Sequence, residues 1–119
     1  ITVQDSSTVG DSLKMAKPKD GQRRAGAILL INTEGKLTGI FTDGDLRRLV
    51  IDDLNPMDRI IGEVATSNPR RLLATDLVRD AKQLVTEHRV DEIPIVDDEN
   101  KPLGLIDVQD LIAMKVVSE

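Results

Sequence analysis

The residue types with the most chemical reach lie in one stretch, Gly39-Ile40-Phe41-Thr42-Asp43-Gly44-Asp45-Leu46-Arg47-Arg48. Its apolar start reads as a strand ending at Phe41, and its polar remainder as a helix beginning just after Thr42. Backbone N–H groups at such a helix start, with the dipole behind them, favour a phosphate. Thr42 can donate its hydroxyl to a phosphate oxygen, Gly44 admits a close backbone approach, and Asp45 can accept from both hydroxyls of a ribose. Arg47 and Arg48 add positive charge nearby. The same residues have a second reading that needs no ligand. Thr42 followed three residues later by Asp45 resembles a capping box, whose residues stabilise a helix by about 0.5–2 kcal/mol. The two readings part in the second half of the chain, where Asp107 and Asp110 fall at the corresponding places. Aspartate caps a helix as well as threonine does, but it repels an arriving phosphate.

Other chemistries are poorly served. The 119 residues contain one histidine, His88, and no cysteine, so thiol nucleophiles, cysteine–zinc sites and any pair of imidazoles are absent. His88 reads as a dipole partner near a helix C-terminus. A single aromatic residue, Phe41, excludes base-stacking platforms. The net charge of −5 argues against nucleic-acid and anionic-membrane partners, which need a positive field. No apolar run approaches the length of a membrane span, and no signal peptide opens the sequence, so a cytoplasmic location is expected. Asp43, Asp45, Asp107 and Asp110 are oxygen ligands of the kind a hard cation takes, yet they read as solvated helix caps and no metal is expected. The doublets Arg23-Arg24, Arg47-Arg48 and Arg70-Arg71 read as surface, with Arg47-Arg48 the one placed to meet an anion.

The elements that position these residues occur twice. Moving the sequence by 65 brings Ile28 onto Ile93, Glu34 onto Glu99, Lys36 onto Lys101, Gly39 onto Gly104 and Asp45 onto Asp110. Upstream the offset becomes 69, with Val9 on Val78 and Asp11 on Asp80, so the first copy carries four extra residues at the turn-rich Lys17–Gln22. Each copy reads as a short extended piece (1–3; 70–73), then an amphipathic helix. Val9, Leu13 and Ala16 line that helix in the first copy, and Leu77, Ala81, Leu84 and Val85 in the second. Two strands follow across a polar turn (27–31 and 37–41; 93–96 and 102–106), and a second helix closes the copy (43–50; 108–116). A lead-in over 58–64 precedes the second copy, and its counterpart would fall ahead of Ile1, so the chain is expected to be a piece of a longer one.

Leu, Ile, Val and Phe supply 37 of the 119 residues, enough for one core. A unit this small cannot bury both faces of its sheet. The expected fold class is therefore α+β: tandem β-α-β-β-α repeats packed sheet to sheet with pseudo-twofold symmetry. Residues 1–53 form the first repeat, and 54–119 the linker and second repeat.

At this point the sequence resembles a known family. The repeated unit resembles the CBS domain, and the whole chain looks like one CBS pair, or Bateman module. Gly39-Ile40-Phe41-Thr42-x-x-Asp45 is similar to that family's ribose-phosphate motif. With Arg24-Ala25-Gly26-Ala27, the stretch to Arg48 looks like the C-terminal CBS pair of arabinose-5-phosphate isomerases; sugar nucleotidyltransferases with CBS domains carry a similar Thr-Asp-Gly-Asp run. The resemblance implies a regulatory module binding an adenosyl or other nucleotide in the cleft between repeats. Thr42 and Asp45 would take the phosphate and ribose, Gly26, Ala27 and Ile28 would flank the base, and Asp110 would mark a second site that Asp107 weakens. No cofactor is required. A covalently linked sugar-isomerase domain and homodimerisation through CBS helices are the implied partners, and a CMP-linked sugar acid is an effector by metabolic analogy.

The competing expectation is a ligand-free module that dimerises or orients its parent through the second helices, with Leu46, Leu49, Leu111, Ile112 and Met114 on the contact face. Neither reading gives this chain catalysis. Assayed with an aldose or ketose phosphate, the purified 119-residue chain is expected to show no isomerisation above the buffer rate; measurable turnover would overturn the reading of the residues.

Overall fold

The computed structural model describes residues 1–18, 26–75 and 92–107. The chain divides into two compact units, Ile1–Pro69 and Arg70–Glu119. The first contains β1 (Thr2–Gln4), α1 (Val9–Met15), β2 (Ala27–Ile31), β3 (Leu37–Thr42), α2 (Asp43–Asp52), a 3-10 turn at Pro56–Asp58, α3 (Ile61–Val64) and β4 (Thr66–Ser67). The second contains β5 (Leu72–Leu73), β6 (Glu92–Val96) and β7 (Pro102–Asp107). The expected helices over 77–85 and 108–116 lie outside the described residues, as do Arg23, Arg24, His88, Asp110, Leu111, Ile112 and Met114.

The repeat is visible in the hydrogen bonds. In the first unit β1 runs parallel to β2 and β2 antiparallel to β3, with Val3 opposite Leu30 and Ile28 opposite Phe41. In the second, Leu72 lies opposite Ile95 and Ile93 opposite Ile106. Both hairpins shift register at the same place, Leu30/Ile31 and Ile95/Val96. Their turns are built alike. The Asn32 side-chain oxygen accepts from Glu34 N–H at 2.9 Å and Lys36 N–H at 3.0 Å. Asp97 does the same for Glu99 and Lys101, both at 2.9 Å. Such Asx bonds shape a turn from within. The turn needs one left-handed residue, and the two copies supply Gly35 (φ 80°) and Asn100 (φ 64°), residue types that tolerate it.

The first unit's core is Val3, Val9, Ile28, Leu30, Phe41 and Ile61, with Leu13, Ala16, Leu46 and Leu49 packed against it. Alternation along β2 puts Ile28 and Leu30 on this side, while Leu29 and its partner Ile40 are buried on the other. Leu46 and Leu49 are partly buried against this core. Thr8 caps α1 by accepting from Asp11 N–H at 3.1 Å, and buried Ser12 is satisfied by donating to Thr8 O at 2.8 Å.

The compact units divide at Pro69/Arg70. Residues 54–69 stay with the first unit because their backbone and the buried Ile61 have partners there. Ile61 is fully buried in the first core, Ile61 N–H donates to Ser7 O at 2.8 Å, and Gly62 N–H to Asp5 O at 3.0 Å. Beyond α3, β4 adds antiparallel to the edge of β3.

A Cβ at Gly62 would lie 2.7 Å from Asp5 O, closer than packed atoms tolerate. Gly62→Ala is expected to destabilise the fold by about 1–3 kcal/mol, the usual range for overpacking. The urea midpoint reads this directly, and an unchanged midpoint would mean that residues 61–67 do not hold the first unit together.

Candidate functional site

Thr42 closes β3 and opens α2. Its extended backbone (φ −108°, ψ 168°) leaves the first N–H groups of the helix without intrahelical partners, and a full capping box supplies them. Asp45 N–H donates to Thr42 Oγ1 at 3.2 Å, while Thr42 N–H and Oγ1–H donate to Asp45 Oδ2 at 2.9 and 3.1 Å. The other carboxylate oxygen, Oδ1, accepts from Arg48 Nη2 at 2.5 Å. Asp45 is 8% exposed, and both of its oxygens are engaged inside the first unit. The hydroxyl proton of Thr42 is likewise committed to Asp45. The capping reading of these two residues therefore describes the geometry, and a ligand contact by them would share groups that already hold the cap.

Beside this cap lies an open cavity of about 360 Å³. Gly26, Ala27 and Ile28 enter it from the start of β2, Phe41, Thr42 and Asp43 from the end of β3, and Leu13, Lys14, Ala16, Lys17 and Pro18 from α1 and the residues after it. Four residues singled out in the sequence, Gly26, Ala27, Ile28 and Thr42, are thus brought to one place. Strand pairing is the reason, because Ala27 lies opposite Thr42 and Ile28 opposite Phe41. Gly44, Asp45 and Arg47 are not among the described walls; Asp43 is the acidic residue there. Asp45 and Arg48 line a different hollow with Asp52, Asp53 and Arg59, where Arg59 pairs with Asp53 at 2.7 Å. Arg47 is exposed on α2.

Lys14 and Lys17 are walls that the sequence reading missed. A signal was present, since Lys17 follows Leu13 by four residues and continues the stripe that Val9, Leu13 and Ala16 mark out. Their two cations give the cavity a local positive charge in an acidic chain. Among the described residues no group of acidic or histidine side chains is arranged to hold a metal ion, and no helix is long and apolar enough to cross a membrane.

The family model of the CBS domain matches residues 1–52 and 61–116. The chain belongs to the CBS domain family. Its α+β tandem-repeat class is that of a CBS pair. A CBS domain protein from Pyrobaculum aerophilum complexed with AMP superposes with a TM-score of 0.79 at 19% identity, covering 93% of this chain and 82% of that one. Two relatives by sequence are arabinose 5-phosphate isomerases. That of Francisella tularensis is 29% identical over 98% of this chain and 38% of the isomerase. That of Pseudomonas aeruginosa is 28% identical over 92% of this chain and 33% of the isomerase. The chain therefore spans little more than a third of these relatives. CBS domains are not themselves catalytic; in these relatives they form part of an isomerase.

Replacing Thr42 by Ala removes two bonds of the cap at once. A loss of about 0.5–2 kcal/mol is expected, with Thr42→Ser close to wild type. Thermal or urea unfolding separates the two variants, and equal stability for Ala and wild type would discount the cap.

Proposed function

We propose that this CBS pair is a regulatory module that binds a nucleotide or nucleotide-sugar and modulates a covalently linked, cytoplasmic sugar-phosphate isomerase. The observation that carries the reading is the cavity itself. Its walls combine the apolar, backbone-rich stretch Gly26–Ile28, suited to a base, with Thr42, Lys14 and Lys17, suited to a phosphate. The AMP bound by the Pyrobaculum aerophilum protein, and the isomerase names of the sequence relatives, support the ligand class and the parent. The effector is an adenosyl nucleotide or a CMP-linked sugar acid, and no cofactor is needed.

The cap explains how occupancy would be felt. Asp45 already accepts from Thr42 and Arg48, and its Oδ1 keeps a lone pair that a ribose hydroxyl can reach. Binding would add a ligand bond to the same carboxylate that fixes the start of α2, and so bias the helix. A ligand that prefers one arrangement of a two-state element biases the parent by that preference, typically about 1–3 kcal/mol.

A second reading, assembly as a homodimer through CBS helices, is favoured by the apolar residues at and beyond the end of α2. Ile51 is 75% and Leu54 98% exposed, with Val50 beside them.

Calorimetric titration of the chain with AMP, ATP and a CMP-linked sugar acid tests the first reading. At least one is expected to bind, and 100 times its dissociation constant should stabilise the fold by about 2.7 kcal/mol. Lys14→Gln combined with Lys17→Gln should weaken that ligand about tenfold while leaving the melting temperature of the free chain unchanged. Silence from every nucleotide, together with a concentration-dependent mass, would transfer the role to assembly.

A further inference from the structure

The Asp45 carboxylate is held from two sides. Thr42 bonds Oδ2 as part of the cap, while Arg48, from the second turn of α2, reaches back to bond Oδ1 through Nη2. The side chain of Asp45 is 7% exposed and that of Arg48 70%, so a nearly buried charge is met by a cation that stands in solvent. Arg48 Nη1 lies beside Gly44, 3.6 Å from where a Cβ would stand, and Thr42 Oγ1 is 3.7 Å from the same point. The guanidinium thus covers the first turn of α2, the end of a helix dipole that disfavours a cation. Helix stability alone does not ask for it there. Spacing selects this arginine from its doublet, because residues three apart on a helix are neighbours and residues two apart are not. Arg47 is exposed on α2 and has no place at the carboxylate.

The second copy supplies a comparison. At the offset of 65, Asp45 recurs as Asp110, but Asp107 stands for Thr42, Gln109 for Gly44 and Ala113 for Arg48. The acidic residue at the third helical position is common to both copies, and the three residues that surround it in the first are all different in the second. A spacing suited to capping is therefore kept where no arginine accompanies it. The arginine goes with Thr42, the residue suited to a phosphate.

We infer, on the nucleotide reading of the cavity, that Arg48 is the positioning residue of the Asp45 carboxylate and so sets the preference for a ribose bearing its hydroxyls. Thr42 fixes one oxygen and Arg48 the other, which sets the plane of the carboxylate and leaves Oδ1 a lone pair for a ligand hydroxyl. Without the cation, the carboxylate loses its counter-charge and its second fixed oxygen together, and accepts a hydroxyl less well. Arg48 acts on the ligand through Asp45.

Calorimetric titration of the chain with AMP and CMP, each compared with its 2′,3′-dideoxy form, tests this. Wild type is expected to prefer the ribonucleotide that it binds by at least about tenfold, the worth of one charge-assisted hydrogen bond. Arg48→Met should lose that preference by weakening the ribonucleotide while leaving the dideoxy form nearly unaffected. Arg48→Lys, which restores the charge without the fork, should recover part of it. The urea midpoint of each variant reads stability separately. A preference that survives Arg48→Met would overturn the role of Arg48 alone, and so would equal weakening of both forms, the mark of a merely structural residue. Silence of the wild-type chain toward both ribonucleotides would overturn the nucleotide reading of the cavity and this role with it.

Discussion

The first unit depends on two close backbone approaches made at glycines. Gly62 brings its N–H against Asp5 O, and Gly39 lets Thr66 O approach β3. Those two approaches hold α3 and β4 in place, and with them Ile61, which has no exposed surface in a core otherwise drawn from the sheet and α1. The end of β3 carries Thr42, so the edge that β4 secures belongs to the strand that delivers the candidate site. Core, edge and site are thus consequences of one packing arrangement.

The hairpins were legible in the sequence because their information is local. Strand alternation, an Asx residue at the first turn position and a left-handed residue three places later all act within a few neighbours, and the same offset of 65 recurs in the hydrogen bonds. The offset of 69 upstream is equally real in the pairing of Val3 and Leu72. The location of residues 54–69 was not legible. Repeat alignment identifies Asp58–Val64 as a lead-in to the second copy but says nothing of which sheet it joins. A two-residue strand such as Thr66–Ser67 has no alternation to read. Partners far apart in sequence decide the matter, and sequence pattern is blind to them.

The candidate site divides along the same line. The capping box followed from spacing, since Thr42 and Asp45 stand three apart at a helix start. That Asp45 is buried, held by Arg48 and absent from the described walls of the cavity is a result of packing. The lysines were overlooked because charge was read against the whole chain, whose net value is −5, while a ligand senses only the charges within a Debye length, about 10 Å in moderate salt.

Synthesis is directional, and the placement of α3 and β4 gives that direction a consequence. The hairpin from Ala27 to Thr42 closes through bonds between near neighbours and can form as soon as it leaves the ribosome. The first unit remains open at one edge, with a place for Ile61 unfilled, until residues up to Ser67 have emerged. By then translation has already entered the lead-in that the repeat assigns to the second copy. Completion of the first repeat is thereby timed by the arrival of the second, and the half-made module spends little time as a free-standing product.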